Sequence, residues 1–394
     1  MTTTTTDAFL RALAHSKSVE TQTLLLDEML RSLISETENS SSSLDDDEDE
    51  DEDRALFLDL RPREKYQKHS LSRSVNIPFD EISGSFHLLP PRETPFSVFL
   101  EEGRDDDEES LVSSSKSFEN QRETFQRGDF KGVQWNIEYA FVYNEHFINA
   151  VNAKMLKMQK DSSLGNGVDT HDVLALNNEK KKNKRRLWEP SPSVKELYKT
   201  FLSSSETNNN KNNNNNNSSS IVLDLGSGVG RDSVYLASKG FDVLACDFDQ
   251  KALTRTQEMA RLHGVEDKVK VLKWDARNDD AFMCALSSVD DVSRLKLVLG
   301  VRFCHKPLFA QIVKHMPAES DCFFAWFHFA KGCEHSKVGR PNKEKDLIAP
   351  NEELRSIFTK NEGFEVLKDD VSFISDGRPS ANFIARRKRE MKRV

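Results

Sequence analysis

The sequence predicts an α/β protein whose C-terminal half is a largely parallel sheet with helices on both faces. Three observations carry that expectation. Ile221-Val222-Leu223-Asp224-Leu225 is an apolar run of buried-strand length, followed by the glycine turn Gly226-Ser227-Gly228-Val229-Gly230 and an amphipathic stretch over 231–237. Strand-like and helix-like runs then alternate to the end of the chain, as they do where crossover helices join parallel strands. Last, 364–373 and 381–386 flank Asp376-Gly377-Arg378, which reads as a closing antiparallel hairpin.

The chain has 394 residues, room for two or three domains. Its hydrophobic share is 37% and its charged share 31%, so polar insertions must dilute the cores. The net charge of -9 is unevenly spread: 45–53 is unbroken acid, and 386–393 is basic. No apolar run reaches the length of a membrane span, so no membrane partner is expected. The N-terminus lacks the apolar core of a secretory signal, and Asp7, Glu20 and Asp27 argue against an organellar transit peptide. All five cysteines (Cys246, Cys284, Cys304, Cys322, Cys333) fall late, with no paired spacing, which fits a reducing compartment. The expected location is cytoplasmic, with nuclear import through the basic runs or organellar targeting as alternatives.

Taken in order, 8–36 reads as one or two helices with a stripe of Leu24, Leu25, Leu26, Met29, Leu30 and Leu33. Residues 37–53 form a solvated linker, so 1–53 is a helical N-terminus with an acidic linker. Residues 55–61 read as a strand ending in Asp59-Leu60-Arg61. Glu64-Lys65-Tyr66, His69-Ser70-Leu71 and Ser74-Val75-Asn76-Ile77-Pro78 follow, and 96–100 offers the next strand. This order of signatures resembles the first half of a rhodanese domain. The resemblance implies a small α/β domain over 54–152, but no cysteine precedes Cys246, so the sulfur-carrying nucleophile is absent. Seven carboxylates over 101–109 would also repel the anion that such a loop cradles. The domain is therefore expected to lack sulfurtransferase activity and to serve a protein partner, with Asp59 and Arg61 paired inside it. Only 132–141 offers a further strand.

Residues 153–186 read as a polar linker ending in a basic run. A basic run alone is more often a solvated linker than a nucleic-acid contact, and nucleic acid is not the expected partner. Next come Trp188, Pro190 and Pro192, with Ser191 as a candidate helix cap, and a helix through Leu197, Tyr198, Phe201 and Leu202. The asparagine-serine tract at 208–220 is a surface expansion. The next domain is expected over 187–387, with a basic tail at 388–394.

In that domain Asp224 precedes Gly226-x-Gly228-x-Gly230. The spacing departs from the Gly-x-Gly-x-x-Gly of dinucleotide binders, and an acid there suits a cationic ligand rather than a pyrophosphate. Asp-x-Gly-x-Gly-x-Gly resembles motif I of the class I S-adenosylmethionine methyltransferases. A dehydrogenase and a bland glycine turn are the alternatives. The resemblance implies a Rossmann-like seven-stranded mixed sheet, preceded by the smaller rhodanese-like α/β domain and disordered linkers. It also implies a cofactor, S-adenosyl-L-methionine, and places its parts. Asp224 holds the methionine amino group beside Gly226, Ser227, Gly228 and Gly230. Strand 241–246 ends at Asp247, which is placed to accept both ribose hydroxyls, with Phe248 beside it. Asp249 better fits a helix cap, and helix 250–263 ends at Gly264. Strand 268–275 brings Asp275 to the adenine amino group and the Ala276 backbone to the ring. Strand 294–300 ends at Val301.

The run Val301-Arg302-Phe303-x-His305-x-Pro307-Leu308-Phe309, with Ala349-Pro350-x-Glu352-x-Leu354 and Asp376-Gly377-Arg378-Pro379, resembles the tellurite-resistance and related small-molecule branch. That implies a small-molecule acceptor. A sulfonium methyl is already activated, so the main task is in-line approach of a desolvated nucleophile. Arg302 could orient an anionic acceptor and His305 could serve as base; pairing with a helix acid and simple packing are the bland alternatives. Cys304, Cys322, His328, Cys333 and His335 match no zinc spacing, so no metal is expected. Two further readings stand beside the enzyme: a non-catalytic module that holds the cofactor or a partner, and an RNA or protein methyltransferase.

Overall fold

The computed structural model describes residues 55, 57–70, 73–91, 94, 96–100, 135, 137–142, 148–149, 152–153, 185–203, 219–318, 321–332, 343–374 and 377–388. The expected helices at 8–36, the acids at 45–53 and 101–109, the segment 154–184, the tract at 208–218, Cys333, His335, Asp376 and the tail beyond Lys388 lie outside them. The chain forms two compact units that divide at Glu189/Pro190. That is three residues past the expected start of the second domain at 187. The reason is local: the Ala55 N–H donates to the Arg186 carbonyl at 2.9 Å, and Leu187 packs in the core of unit one.

In unit one, β1 (Phe57–Asp59), β2 (Ser74–Asn76), β3 (Phe96–Leu100) and β4 (Ile137–Val142) form a parallel sheet in the order β2-β1-β3-β4. Strand alternation divides its apolar residues between two faces. Leu58, Leu60, Val98 and Leu100 join one core, while the rings of Phe57, Phe99 and Phe141 pack together. At the end of β1, Arg61 forks onto Asp59, with Nε–Oδ1 at 2.9 Å and Nη2–Oδ2 at 2.7 Å. Both side chains are buried, and Arg61 Nη2 also donates to the His69 carbonyl at 2.7 Å. Asn76 donates to the carbonyls of Asp59 and Arg61, and the Tyr66 hydroxyl donates to Ser74 O. The expected internal pairing of Asp59 and Arg61 is therefore present. A buried ion pair of this kind holds only because its remaining donors find acceptors.

Unit two holds seven strands: β5 (Ile221–Leu225), β6 (Asp242–Asp247), β7 (Val269–Lys273), β8 (Leu295–Val301), β9 (Phe323–Phe329), β10 (Phe364–Phe373) and β11 (Pro379–Arg387). Their order is β10-β11-β9-β8-β5-β6-β7, all parallel except β11, which runs antiparallel to both β9 and β10. The terminal hairpin thus inserts its second strand into the sheet and leaves β10 at the edge. The helices are α2 (Pro192–Leu197, continuing as a π turn over Tyr198–Leu202), α3 (Arg231–Ser238), α4 (Gln250–Leu262), α5 (Ala281–Ser287), α6 (Pro307–His315) and α7 (Glu353–Ile357). α1 (Arg63–Lys68) belongs to unit one.

The core of unit two is aromatic around β9. Phe324 stacks on Trp326 and Phe358, and Phe309 meets Phe324 and Trp326 edge-on. Each such buried side chain contributes about 1.5–3 kcal/mol. A side chain at Gly300 would run into Trp326, so β8 carries glycine there.

Local chemistry moved several expected boundaries. The third strand ends at Lys273 rather than Asp275, because Trp274 turns in and donates its indole N–H to Ala281 O at 2.7 Å. Ser191 does not cap α2 with its side chain; its backbone N–H goes to Asp232 Oδ1 at 2.7 Å, and Pro192 starts the helix. Asp249 caps α4 through the Lys251 N–H, and Gly264, at φ +64°, follows its end. The helix α5 had no expectation behind it.

Candidate active site

The glycine turn carries β5 into α3 at the carboxyl edge of the sheet. Gly226, Gly228 and Gly230 all sit at positive φ. They are not equivalent. A side chain at Gly226 would strike Phe303, and one at Gly230 would strike Thr256, whereas at Gly228 it would meet nothing within 4 Å. Close packing alone therefore demands glycine at Gly226 and Gly230, whereas at Gly228 the space beside the backbone is open.

The turn is pinned from both sides. The N–H groups of Gly226 and Ser227 donate to the Cys246 carbonyl at 2.8 and 3.0 Å. Gly228 N–H donates to Asp247 Oδ2 at 2.8 Å, and Thr256 Oγ1 donates to the Gly228 carbonyl at 3.2 Å. Asp247 thus holds the turn as well as facing the open edge; its Oδ1 accepts from the Asp249 N–H at 2.9 Å. Each carboxylate oxygen keeps a second lone pair for a hydroxyl. The Ser227 hydroxyl is buried and has no hydrogen-bond partner, an orphan that a polar ligand group would satisfy.

Asp224 is 1% exposed, and its Oδ2 accepts from Ser233 Oγ at 2.5 Å. Burial pushes its carboxyl up to about 7, helped by the charges of Asp232 and Asp247. Burial likewise raises Asp232, whose carboxylate takes the Ser191 N–H and feels Arg302 and Arg231. A buried acid short of cations is what a bound ammonium or sulfonium would stabilise.

Asp275 stands beyond the end of β7, and its surroundings differ from expectation. Its carboxylate is already engaged by Arg277, with Nε–Oδ1 at 2.8 Å and Nη2–Oδ2 at 2.6 Å. That fork holds Asp275 down at about 2. The Arg277 guanidinium also lies over the Phe248 ring, 5.9 Å from its centroid. Phe248 is 66% exposed, and Ala276 is buried in the core beside them.

The loop after β8 completes the edge. Val301 pairs with Phe327 of β9, and Arg302 N–H donates to the Phe327 carbonyl at 2.7 Å. Arg302 adopts φ +54°, unusual for a residue with a side chain, and its exposed guanidinium acts on Asp232. His305 is half-buried and acts on the Asp275 carboxylate. Phe303 wedges between Gly226, Trp274 and Trp326, whose indole donates to its carbonyl at 2.8 Å.

The structure therefore sets Asp224, Asp247 and Asp275 along the carboxyl ends of three adjacent strands, with Arg302 on the next. Sequence reasoning missed Ser233, Thr256, Arg277 and Phe303. Arg277 had a signal: Asp275-Ala276-Arg277 repeats the Asp59-Leu60-Arg61 spacing. His328 was weighed only as a metal ligand. It is buried on β9, its Nε2 lies 2.8 Å from the Asp346 carbonyl, its Nδ1 is unpartnered, and burial lowers its pKa. Among the described residues, no three His, Cys, Asp or Glu side chains gather as metal ligands, and no helix is long and apolar enough to cross a membrane. A surface hollow walled by Ile221, Asp242, Lys268 and Asp290 lies at the opposite edge of the sheet, away from the turn.

A family model for a methyltransferase domain matches residues 222–302, from the second residue of β5 to the first residue past β8. The fold of unit two is Rossmann-like: a doubly covered sheet of parallel strands in which only β11 runs antiparallel. An uncharacterised protein of Schizosaccharomyces pombe, UNK4.09, is 26% identical over 361 residues, covering 84% of this chain and 93% of its own length. Among solved structures, TehB from Haemophilus influenzae is 16% identical, covering 50% of this chain and 67% of TehB, with a TM-score of 0.33. Magnesium protoporphyrin IX methyltransferase (ChlM) from Synechocystis PCC 6803, solved with bound SAM, is 16% identical, covering 54% of this chain and 85% of that one, with a TM-score of 0.33.

Proposed function

We propose that unit two is an S-adenosylmethionine-dependent methyltransferase of a small-molecule acceptor. The observation that carries this reading is the row of carboxylates on adjacent strand ends around an open Gly228, with the orphan Ser227 hydroxyl among them. When bound, the cofactor supplies a methyl group already activated on a positive sulfur. The chain does the rest. Asp224 holds the cationic methionine end, Ser227 takes its carboxylate, and Asp247 takes the ribose hydroxyls. Phe303 and Trp274 keep water from the turn. Arg302 orients an anionic acceptor through its forked donors, and His305 takes a proton where the acceptor carries one.

Unit one is read as a rhodanese-like domain without sulfurtransferase activity, used to dock a protein partner. The parallel order β2-β1-β3-β4 and the hydrogen-bonded set of Asp59, Arg61, Tyr66, Ser74 and Asn76 support that reading. The absence of any cysteine before Cys246 argues against sulfur transfer.

The test is to incubate the full chain with the cofactor and fractionated small-metabolite pools, and to follow S-adenosylhomocysteine release. Release that depends on one fraction and falls in Arg302→Ala and His305→Ala supports the enzyme. Tight binding with no release from any fraction favours the non-catalytic module.

A further inference from the structure

The resemblance gives Asp275 to the adenine amino group, yet in this chain its two carboxylate oxygens are already taken by one guanidinium. We propose that Arg277 closes over the adenine ring against Phe248, and that Asp275 is its anchor rather than the reader of the base. This rests on the cofactor reading above.

Two comparisons within the chain support it. The buried fork of Arg61 on Asp59 has a structural task, because Arg61 goes on to the His69 carbonyl in a closed interior. The fork of Arg277 has no such task. The Arg277 side chain is 72% exposed, and beyond Asp275 it lies over the Phe248 ring. Phe248, in turn, is 66% exposed, although a phenyl ring gains nothing from water there. Phe248 follows Asp247 directly, so its ring lies next to the place where a ribose is held.

The geometry suits a flat heteroaromatic ring. Ring and guanidinium are now 5.9 Å apart. A purine between them needs about 3.5 Å on each side, about 7 Å in all, so the guanidinium lifts by about 1 Å. The Arg277 side chain is 72% exposed and that of Asp275 35%, so the guanidinium makes that lift with the carboxylate turning beside it. A planar, weakly hydrated guanidinium stacks on a ring face in a way that an ammonium does not. Asp275 is thus a positioning residue, and His305, which acts on the same carboxylate, shares its electrostatic surroundings.

The experiment is calorimetric titration of the full chain with S-adenosylmethionine, comparing wild type, Arg277→Ala, Arg277→Lys, Asp275→Ala and the Asp275→Ala/Arg277→Ala double variant. Arg277 is exposed, so folding is not at risk, and thermal midpoints check this. Arg277→Ala is expected to weaken binding about tenfold, with Arg277→Lys not restoring it. Asp275→Ala weakens it by up to the same factor, and the double variant is no weaker than Arg277→Ala within about twofold. Wild-type affinity in Arg277→Ala, or full affinity in Arg277→Lys, overturns the stacking role. A further tenfold loss from Asp275→Ala in the Arg277→Ala background overturns the anchor role and returns Asp275 to the base. A wild type that binds no cofactor at all instead defeats the cofactor reading, which keeps the two failures apart.

Discussion

Replacing Asp224 with asparagine separates its effect on stability from its effect on binding. The carboxyl is fully buried, and its pKa stands at about 7 instead of the ordinary 3.8. Between these two values the unfolded chain has released the proton while the folded chain still holds it. Stability from this group therefore falls as pH rises from about 4 to about 7, and is level above that. The whole span corresponds to roughly 4 kcal/mol, an order-of-magnitude figure for so buried a group. The amide keeps the Ser233 contact and cannot ionise. Urea unfolding of Asp224→Asn should then match wild type only below about pH 4 and exceed it at pH 7.5. Binding should move the other way. A cation beside Asp224 needs the ionised form, so wild-type cofactor affinity should rise about tenfold from pH 6 to pH 8. In Asp224→Asn that rise should vanish, and affinity at pH 8 should fall roughly 10- to 150-fold, the range for one charge-assisted hydrogen bond. A variant less stable than wild type at pH 7.5, or one that binds the cofactor unchanged, would refute the reasoning.

The other expectations follow the same logic. Ser227→Ala removes an unpaired buried hydroxyl, so stability should hold or rise by up to about 1 kcal/mol, while cofactor affinity drops roughly 2- to 10-fold; a destabilised variant with unchanged affinity counts against the orphan's role. Gly228→Ala meets only the left-handed backbone cost of about 1–2 kcal/mol, whereas Gly226→Ala and Gly230→Ala also strike Phe303 and Thr256 and should lose more, measured as denaturation midpoints. Asp59→Ala removes the Asp59 carboxylate from a buried guanidinium and should cost about 3–5 kcal/mol; replacing the pair together by Leu and Met should cost less, and an equal cost would show that the pair adds more than mutual neutralisation.

Much of unit two was legible because its signals are local. The β5 run, the glycine turn and the helix after it fell where the apolar pattern put them, and the terminal hairpin could be read from its turn residues. The sheet order was not readable in the same way, since insertion of β11 between β9 and β10 is a long-range choice. The acids were legible as strand-end positions. What the glycines do was not, because that depends on side chains remote in sequence: Phe303 fills the space over Gly226, and Thr256 fills that over Gly230. The Asp-x-Arg fork was readable at Asp59 through a family likeness and went unread at Asp275, where the same spacing makes the same bonds.

The most direct measurement is a calorimetric titration of the whole chain with S-adenosylmethionine, beside an Asp247→Ala variant shown to be folded by circular dichroism. Asp247 is the one acid expected to touch both the ligand and the glycine turn. The prediction is saturable one-to-one binding, competed by S-adenosylhomocysteine and weakened at least tenfold in the variant. Folded wild-type protein that gives no heat of binding, or a variant that binds as tightly, would contradict it.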